Sequence, residues 1–322
     1  MVGFMSFRIS KKNSCLHKAI VHVATPDTTI SDTVPNRVRV SGRKRPHTRP
    51  LEKNTPPPPP PEIIVHGIDI LTIPIILICF NNHEYIEYAM KQAHHHAPYH
   101  KIIIIDNCST RPGTLDFLKH LETKATTRLC VIRSPHNNGP WIYNDDYFWD
   151  MLPDYFILTD PDLEWNNNLP ENFISILFDV MIRLKEQRVG KIGFALDISE
   201  PEKMYPYKTY GHGDETIWEW ESKFWTSPCD DPRPSESPRF PIPMYYAAID
   251  TTLALYDKSL MRDPNGFSMI RVAGDLTARH LPWYITPNPV LTIEQQCAIY
   301  KSQTYISSIA AFFLAYHKDL LS

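Results

Sequence analysis

Glycine is scarce in this chain, 11 residues in 322 against 30 prolines. Few positions can take left-handed backbone freely, and the loops are expected to be stiff. Neither GxGxxG nor GxxxxGKS/T occurs, which excludes the glycine-cradled phosphate sites of dinucleotide-binding and P-loop folds. Six cysteines (Cys15, Cys79, Cys108, Cys130, Cys229, Cys297) form no CxxC and keep no regular spacing. That is neither a disulfide framework nor a zinc finger, and it suits a reducing compartment. No single sign of charge prevails: the net charge is −3 and the pI about 6.5, so nothing global points to nucleic acid. The first residues, MVGFMSFRISKKNS, lack the apolar core of a signal peptide. The best apolar stretch, Ile63–Phe80, contains His66, Asp69 and Pro74, and an unpaired Asp in mid-bilayer is costly. Buried strands are expected there rather than an integral membrane segment. The expectation is a soluble, cytoplasmic protein, with peripheral membrane contact left open.

What charge there is divides unevenly. Residues 1–62 hold eleven Lys/Arg and four Asp/Glu, whereas 63–322 carry a balance of −10. The first segment also holds the unbroken run Pro56–Pro61, which must be extended polyproline II. It reads as a disordered, basic, Pro-rich tail and linker before one domain over 63–322.

From residue 63 the pattern changes. Ile73–Phe80 is a continuous apolar run, as a strand buried on both faces is, Lys101–Ile105 reads as a second buried strand, and Leu129–Arg133, Tyr155–Thr159 and Lys191–Asp197 read as three more. Segments with helical spacing separate them: Asn81–Ala93, Thr114–Leu121 and Leu169–Gln187. This alternation implies βαβ units, an α/β fold with a mostly parallel sheet and helices on both faces. Ala247–Tyr256 (AAIDTTLALY) reads as another strand and Ile293–Leu321 as helical. His94–His96 and His100 fall in a segment with no Cys or acid at ligand spacing, which reads as a solvated loop rather than a zinc site.

In an open parallel sheet, ligands bind beyond the carboxyl ends of the strands. Polar residues stand at three of those ends: Asn81-Asn82, Asp106-Asn107-Cys108-Ser109-Thr110, and Asp160-Pro161-Asp162. Two carboxylates flanking one residue can face one crevice. Completed by diphosphate oxygens, they suit Mg²⁺ or Mn²⁺. The alternative for the pair is a turn and helix cap.

Together, IPIILICFNN, KIIIIDNCST, the NNG at Asn137–Gly139 and FILTDPD resemble a GT-A glycosyltransferase of the family-2 kind, in motif order over about residues 70–200. The resemblance implies a Rossmann-like GT-A sheet and transfer of a sugar from a nucleoside-diphosphate sugar, UDP-sugar first, to a hydroxyl of a glycan, lipid or protein. It implies donor contacts at Cys79, Phe80, Asp106, Asn138 and Asp160. It puts Asp160, Asp162 and His280 on a Mn²⁺ or Mg²⁺ ion. The chain departs from the family at CFNN, where PTYN is usual, at DNCST, which has one acid fewer, and in showing no clear xED for the base.

For a base, the residues themselves offer Glu221, set among Trp218, Trp220, Phe224 and Trp225, where desolvation raises a carboxyl pKa. Asp250, the other acid expected at the catalytic centre, lies inside an apolar run where it needs a partner or a job, and is expected to bind hydroxyls of donor or acceptor. Trp218, Trp225 and Trp283 could stack on an acceptor sugar or anchor the core. Two other readings remain: a non-catalytic glycan-binding or scaffold protein on a decayed GT-A fold, and a haloacid dehalogenase-type phosphatase. In the latter, however, DxD usually follows the first strand of the core and not the fourth.

Overall fold

The structure, a computed structural model, describes residues 62–207, 215–285, 287–302 and 308–318. Apart from Glu62, the expected tail lies outside the described residues. A short hairpin, β1 (Ile64–Val65) and β2 (Ile68–Asp69), precedes the sheet. It takes the first part of the Ile63–Phe80 run, and Ile64 and Ile68 are exposed there rather than buried.

The sheet begins with β3 (Ile75–Cys79), α1 (His83–His96), β4 (Ile102–Asp106), α2 (Pro112–Thr123) and β5 (Leu129–Arg133). A short helix α3 (Asp146–Met151) leads to β6 (Tyr155–Thr159), followed by β7 (Leu163–Trp165), α4 (Phe173–Arg183) and β8 (Val189–Leu196). After α5 (Ile217–Ser222) come β9 (Pro228–Cys229), β10 (Met244–Tyr246), β11 (Ala254–Asp257) and α6 (Lys258–Met261). The long β12 (Ser268–His280), α7 (Ile293–Lys301) and α8 (Ser308–Tyr316) complete the described elements. The strand order is β5-β4-β3-β6-β11-β8-β12-β10-β9. Strands β5, β4, β3 and β6 run parallel, as β12 does to β8, while β11 is antiparallel to both its neighbours. The sheet is mostly parallel at its first half and mixed beyond β6.

Alternation along β3 explains why helices cover both faces. Ile75, Leu77 and Cys79 enter a core built with α1 and α4, through Ile86, Ala89, Phe173 and Leu177. Ile76 and Ile78 enter a second core on the opposite face, with Ile142, Phe148 and Tyr256. A strand buried on both sides must be apolar at every position, hence IPIILICF.

Three expectations need correction. Of Ala247–Tyr256 only the last three residues, 254–256, are strand; residues 247–253 form a loop that crosses the carboxyl end of β6, where the Asp160 amide donates to the Thr251 carbonyl at 2.9 Å. The expected helix Ile293–Leu321 is two helices, α7 and α8. His96 and His100 are buried, not solvated: their Nδ1 atoms lie 3.2 Å from the Leu169 carbonyl and 2.9 Å from the Ile73 carbonyl. They close carbonyls in the segments that lead into α4 and β3. Among the described residues no helix is long and apolar enough to cross a membrane.

Candidate active site

The carboxyl ends of β3, β4 and β5 make one wall of a crevice, knitted by side chains. Asn81 is fully buried and left-handed (φ 59°), a conformation Asn tolerates better than most residues. Its Oδ1 accepts the Thr110 and Arg111 amides, both at 2.8 Å, and its own amide donates to Ser109 Oγ at 2.9 Å. Asp106 is buried; Oδ1 accepts the Ser109 amide at 3.0 Å and Oδ2 pairs with Arg133 Nη1 at 3.0 Å. Asn107 holds the next loop: its Nδ2 donates to the Gly139 carbonyl at 2.7 Å, and its Oδ1 accepts the Asn138 amide at 2.8 Å. Asn138 and Phe80 remain partly accessible at this rim.

Cys79 does not. Its side chain is wholly buried, its carbonyl accepts the Asn107 amide at 2.7 Å, and burial pushes its thiol up to about 12. Expected beside a donor, it is instead a core residue, because position five of an apolar strand faces the α1 side.

The second wall is built from distant segments. β7 pairs with the end of β12, Leu163 opposite His280, and the Leu281 amide donates to the Asp162 carbonyl at 3.0 Å. That pairing sets His280 Nε2 3.4 Å from Asp162 Oδ2. Asp160 lies two residues away, its carboxylate accepting the Thr251 hydroxyl. Burial and then the nearby Asp162 push the Asp160 carboxyl up to about 8; two acids this close need a proton or a cation between them. Burial opposes charge on His280, but Asp162 outweighs it and raises the imidazole.

A cleft of about 400 Å³ opens here. Asp160, Glu221, Asp250, Thr251, Arg271, His280 and Trp283 line it, together with Trp220 and Phe224. Glu221, from α5, is 2% exposed and ion-paired with Arg271 of β12. Burial pushes its carboxyl up to about 7 against the pull of that guanidinium. The desolvation expected for Glu221 is present, but the shielding rings are not all those expected: Phe224 lies over the Arg271 guanidinium at 4.2 Å, while Trp225 packs against Tyr245. Asp250 is exposed in the 247–253 loop rather than inside a strand, and its Oδ1 accepts Trp141 Nε1 at 3.0 Å.

Of the three tryptophans expected to meet an acceptor, only Trp283 is among the residues lining this cleft. It is buried, edge-on to His280 at 4.7 Å. Trp218 is exposed and donates to the Ile198 carbonyl at 3.1 Å. Sequence reasoning missed Arg271, Thr251, Trp141 and Lys191. Only the odd burial of a lysine and an arginine within apolar strands could have signalled two of them.

Three polar atoms at the second wall, Asp162 Oδ1, His280 Nδ1 and Trp283 Nε1, are buried without a hydrogen-bond partner among the described residues. Among the described residues no three His, Cys, Asp or Glu side chains form a metal cage by themselves. Asp160 and Asp162 nevertheless fit an ion whose shell is completed by phosphate oxygens and water, since Mg²⁺-type sites commonly use one or two carboxylates plus the substrate.

Residues 75–179 match the model of the family described as Glycosyl transferase family 2. Over that segment the chain is similar to the family, and the strand order above is that of an α/β fold whose sheet is parallel in its first half and mixed beyond. Its solved likenesses include the mannosyltransferase PcManGT from Pyrobaculum calidifontis, in complex with GDP-Man and Mn²⁺. That pair shares 13% identity and a TM-score of 0.40 over 77% of this chain and 75% of that one. They also include S. aureus TarS 1-349, at 13% identity and a TM-score of 0.38 over 77% and 72%. The same protein in complex with UDP-GlcNAc gives 14% and 0.36, over 77% and 73%. No curated protein matches the chain.

Proposed function

We propose that the protein is a glycosyltransferase that moves a sugar from a nucleoside-diphosphate sugar, a UDP-sugar first, to a hydroxyl of a glycan, lipid or protein. The observation that carries the reading is the convergence of Asp160, Asp162 and His280 at a strand end inside the family-matched sheet. Open polar atoms sit there beside a cleft lined by two further acids. Asp106, Asn138 and Phe80 line the nucleotide side; Asp160 and Asp162 hold the diphosphate end, with His280 beside them. A bound Mn²⁺ or Mg²⁺ would neutralise charge on the leaving diphosphate.

An acceptor hydroxyl must lose its proton as the bond to the donor breaks. Glu221 has the raised pKa that suits a base, but Arg271 closes it. Asp250 lines the cleft and is exposed, which leaves it able to take that proton or to bind a hydroxyl of donor or acceptor. Glu221 then supports the wall from beneath.

The test is thermal denaturation with UDP, GDP, TDP and CMP, each with Mn²⁺, Mg²⁺ or EDTA, on wild type and Asp162→Asn. A ligand that binds only the native state raises the midpoint by mass action. One nucleotide should raise it only with metal, and Asp162→Asn should lose that shift while keeping its unliganded midpoint. No shift with any nucleotide overturns the reading in favour of a scaffold.

A further inference from the structure

Trp141 and Asp250 come from opposite sides of the crevice. Trp141 ends the loop that Asn107 pins over residues 137–139, and Asp250 tips the loop 247–253. The indole donates to the carboxylate at 3.0 Å, although 109 residues separate them. The ring is 46% exposed and the carboxylate is exposed as well, so neither has been taken into the core.

Asp250 is also fixed from beneath. The ammonium of Lys191, buried in β8, donates to the Ile249 carbonyl at 3.2 Å and lies 3.5 Å from the Asp250 carbonyl. The Tyr256 hydroxyl donates to the same Asp250 carbonyl at 3.4 Å. A merely solvated surface acid has no need of a buried cation under its backbone. Burying one costs free energy and gives rigidity in return.

An exposed aromatic ring joined at its edge to a rigid carboxylate has a specific complement. A pyranose offers an apolar C–H face to an aromatic plane and paired hydroxyls, which donate hydrogen bonds, to a carboxylate. A lipid chain would leave Asp250 unpaired, and a peptide offers no stack of hydroxyls. We propose that Trp141 and Asp250 form a pyranose subsite at the rim of the cleft. Asp250 Oδ1 stays with the indole, and Oδ2 takes a ring hydroxyl. The inference rests on the reading of the protein as a glycosyltransferase and narrows its substrates to those with a sugar at this rim. The ring can belong to the acceptor or to the donor's own sugar.

The experiment is calorimetric and uses the full chain as wild type, Trp141→Ala, Trp141→Phe and Asp250→Asn. Each is titrated with UDP, with UDP-glucose and UDP-N-acetylglucosamine, and with a panel of methyl glycosides in the presence and absence of UDP and Mn²⁺. If the subsite serves the acceptor, Trp141→Ala weakens glycoside binding at least tenfold and leaves UDP and UDP-sugars unchanged. If it serves the donor, the same variant erases the affinity gained by UDP-sugar over UDP. Trp141→Phe, which keeps a ring but loses the N–H, should retain part of either effect, a grading that general unfolding would not produce. Saccharide binding unchanged in Trp141→Ala and Asp250→Asn, or absent from wild type in every arm, overturns the subsite. Failure of wild type to bind any nucleotide while glycosides still bind through Trp141 would instead overturn the transferase reading.

Discussion

The two walls of the crevice treat their polar groups in opposite ways. At the ends of β3, β4 and β5, Asn81, Asp106 and Asn107 spend their side chains on the chain itself, on amides, a carbonyl and Arg133. At the β6–β7 turn and the end of β12, Asp162, His280 and Trp283 each keep a buried polar atom with no partner among the described residues. Buried polar groups are normally hydrogen-bonded. The first wall is therefore complete as it stands, and the second is complete only when something enters it. Shape is set on one side and chemistry is held open on the other.

That contrast is testable by deletion, since removing a closed partner should cost stability, whereas removing an open one should cost ligand binding. The largest stability loss is expected beneath the second wall, where Glu221 and Arg271 are closed on each other. Arg271→Met leaves a buried carboxylate alone and should destabilise by ~4 kcal/mol near neutral pH, as broken buried ion pairs do. The loss should shrink in acid, because an unpaired Glu221 whose folded pKa lies above its ordinary 4.5 is neutral in both states below that value. Urea denaturation across pH reads both, and the double change Arg271→Met, Glu221→Gln should recover part of the loss. An undisturbed midpoint would mean that the pair supports nothing.

Next comes Asn81→Ala, at the first wall. Alanine is strained at φ 59° and strands the Thr110 and Arg111 amides, for a combined ~3 kcal/mol. Asp162→Asn should stay within about 0.5 kcal/mol of wild type, because the lost pairing with His280 is offset by relief of the repulsion with Asp160. Equal losses in these two variants would erase the distinction between the walls.

The same division decides what could be read from the sequence. β5 and β6 match the expected ranges residue for residue: the half-buried edge strand β5 packs Leu129, Val131 and Ile132 against the two cores, and β6 is apolar because both its faces are covered. Asp160 and Asp162 were legible for the same reason: they follow such a strand. β12 escapes the sequence reading, although it is the longest strand among the described residues. Gly274 and Asp275 lie in the irregularity between Val272 and Thr277, and its Arg271 and His280 find partners 50 and 118 residues away. The loop 247–253 looked like strand because Ile249 and Leu253 are buried, yet its backbone is spent on Asp160, Lys191 and Arg271. Local pattern reports burial well, but it is silent about long-range polar closure, and the second wall is made of that. His96 and His100 show the limit in reverse: both read as surface residues, and both are buried against carbonyls.

Lys191 gives a smaller stability effect than Arg271 or Asn81 and the finest distinction, because it is a closed support whose charge has no carboxylate partner among the described residues. Carbonyls of Ile249 and Asp250 and the rings of Tyr256 and Tyr143, at 4.6 and 5.3 Å, stand in for one. Burial pulls its ammonium from 10.5 down to about 8, with Asp250 opposing. Above pH 8 the native chain has therefore released a proton that the unfolded chain still binds, and stability rises with pH. Above 10 the sign reverses, because burial holds Tyr143 and Tyr256 neutral while unfolded tyrosines ionise. Between these limits wild type should gain ~2 kcal/mol relative to Lys191→Met, read as the difference of their urea midpoints. A flat difference would show that carbonyls and rings alone keep the ammonium charged, and that the support beneath Asp250 is ionic throughout.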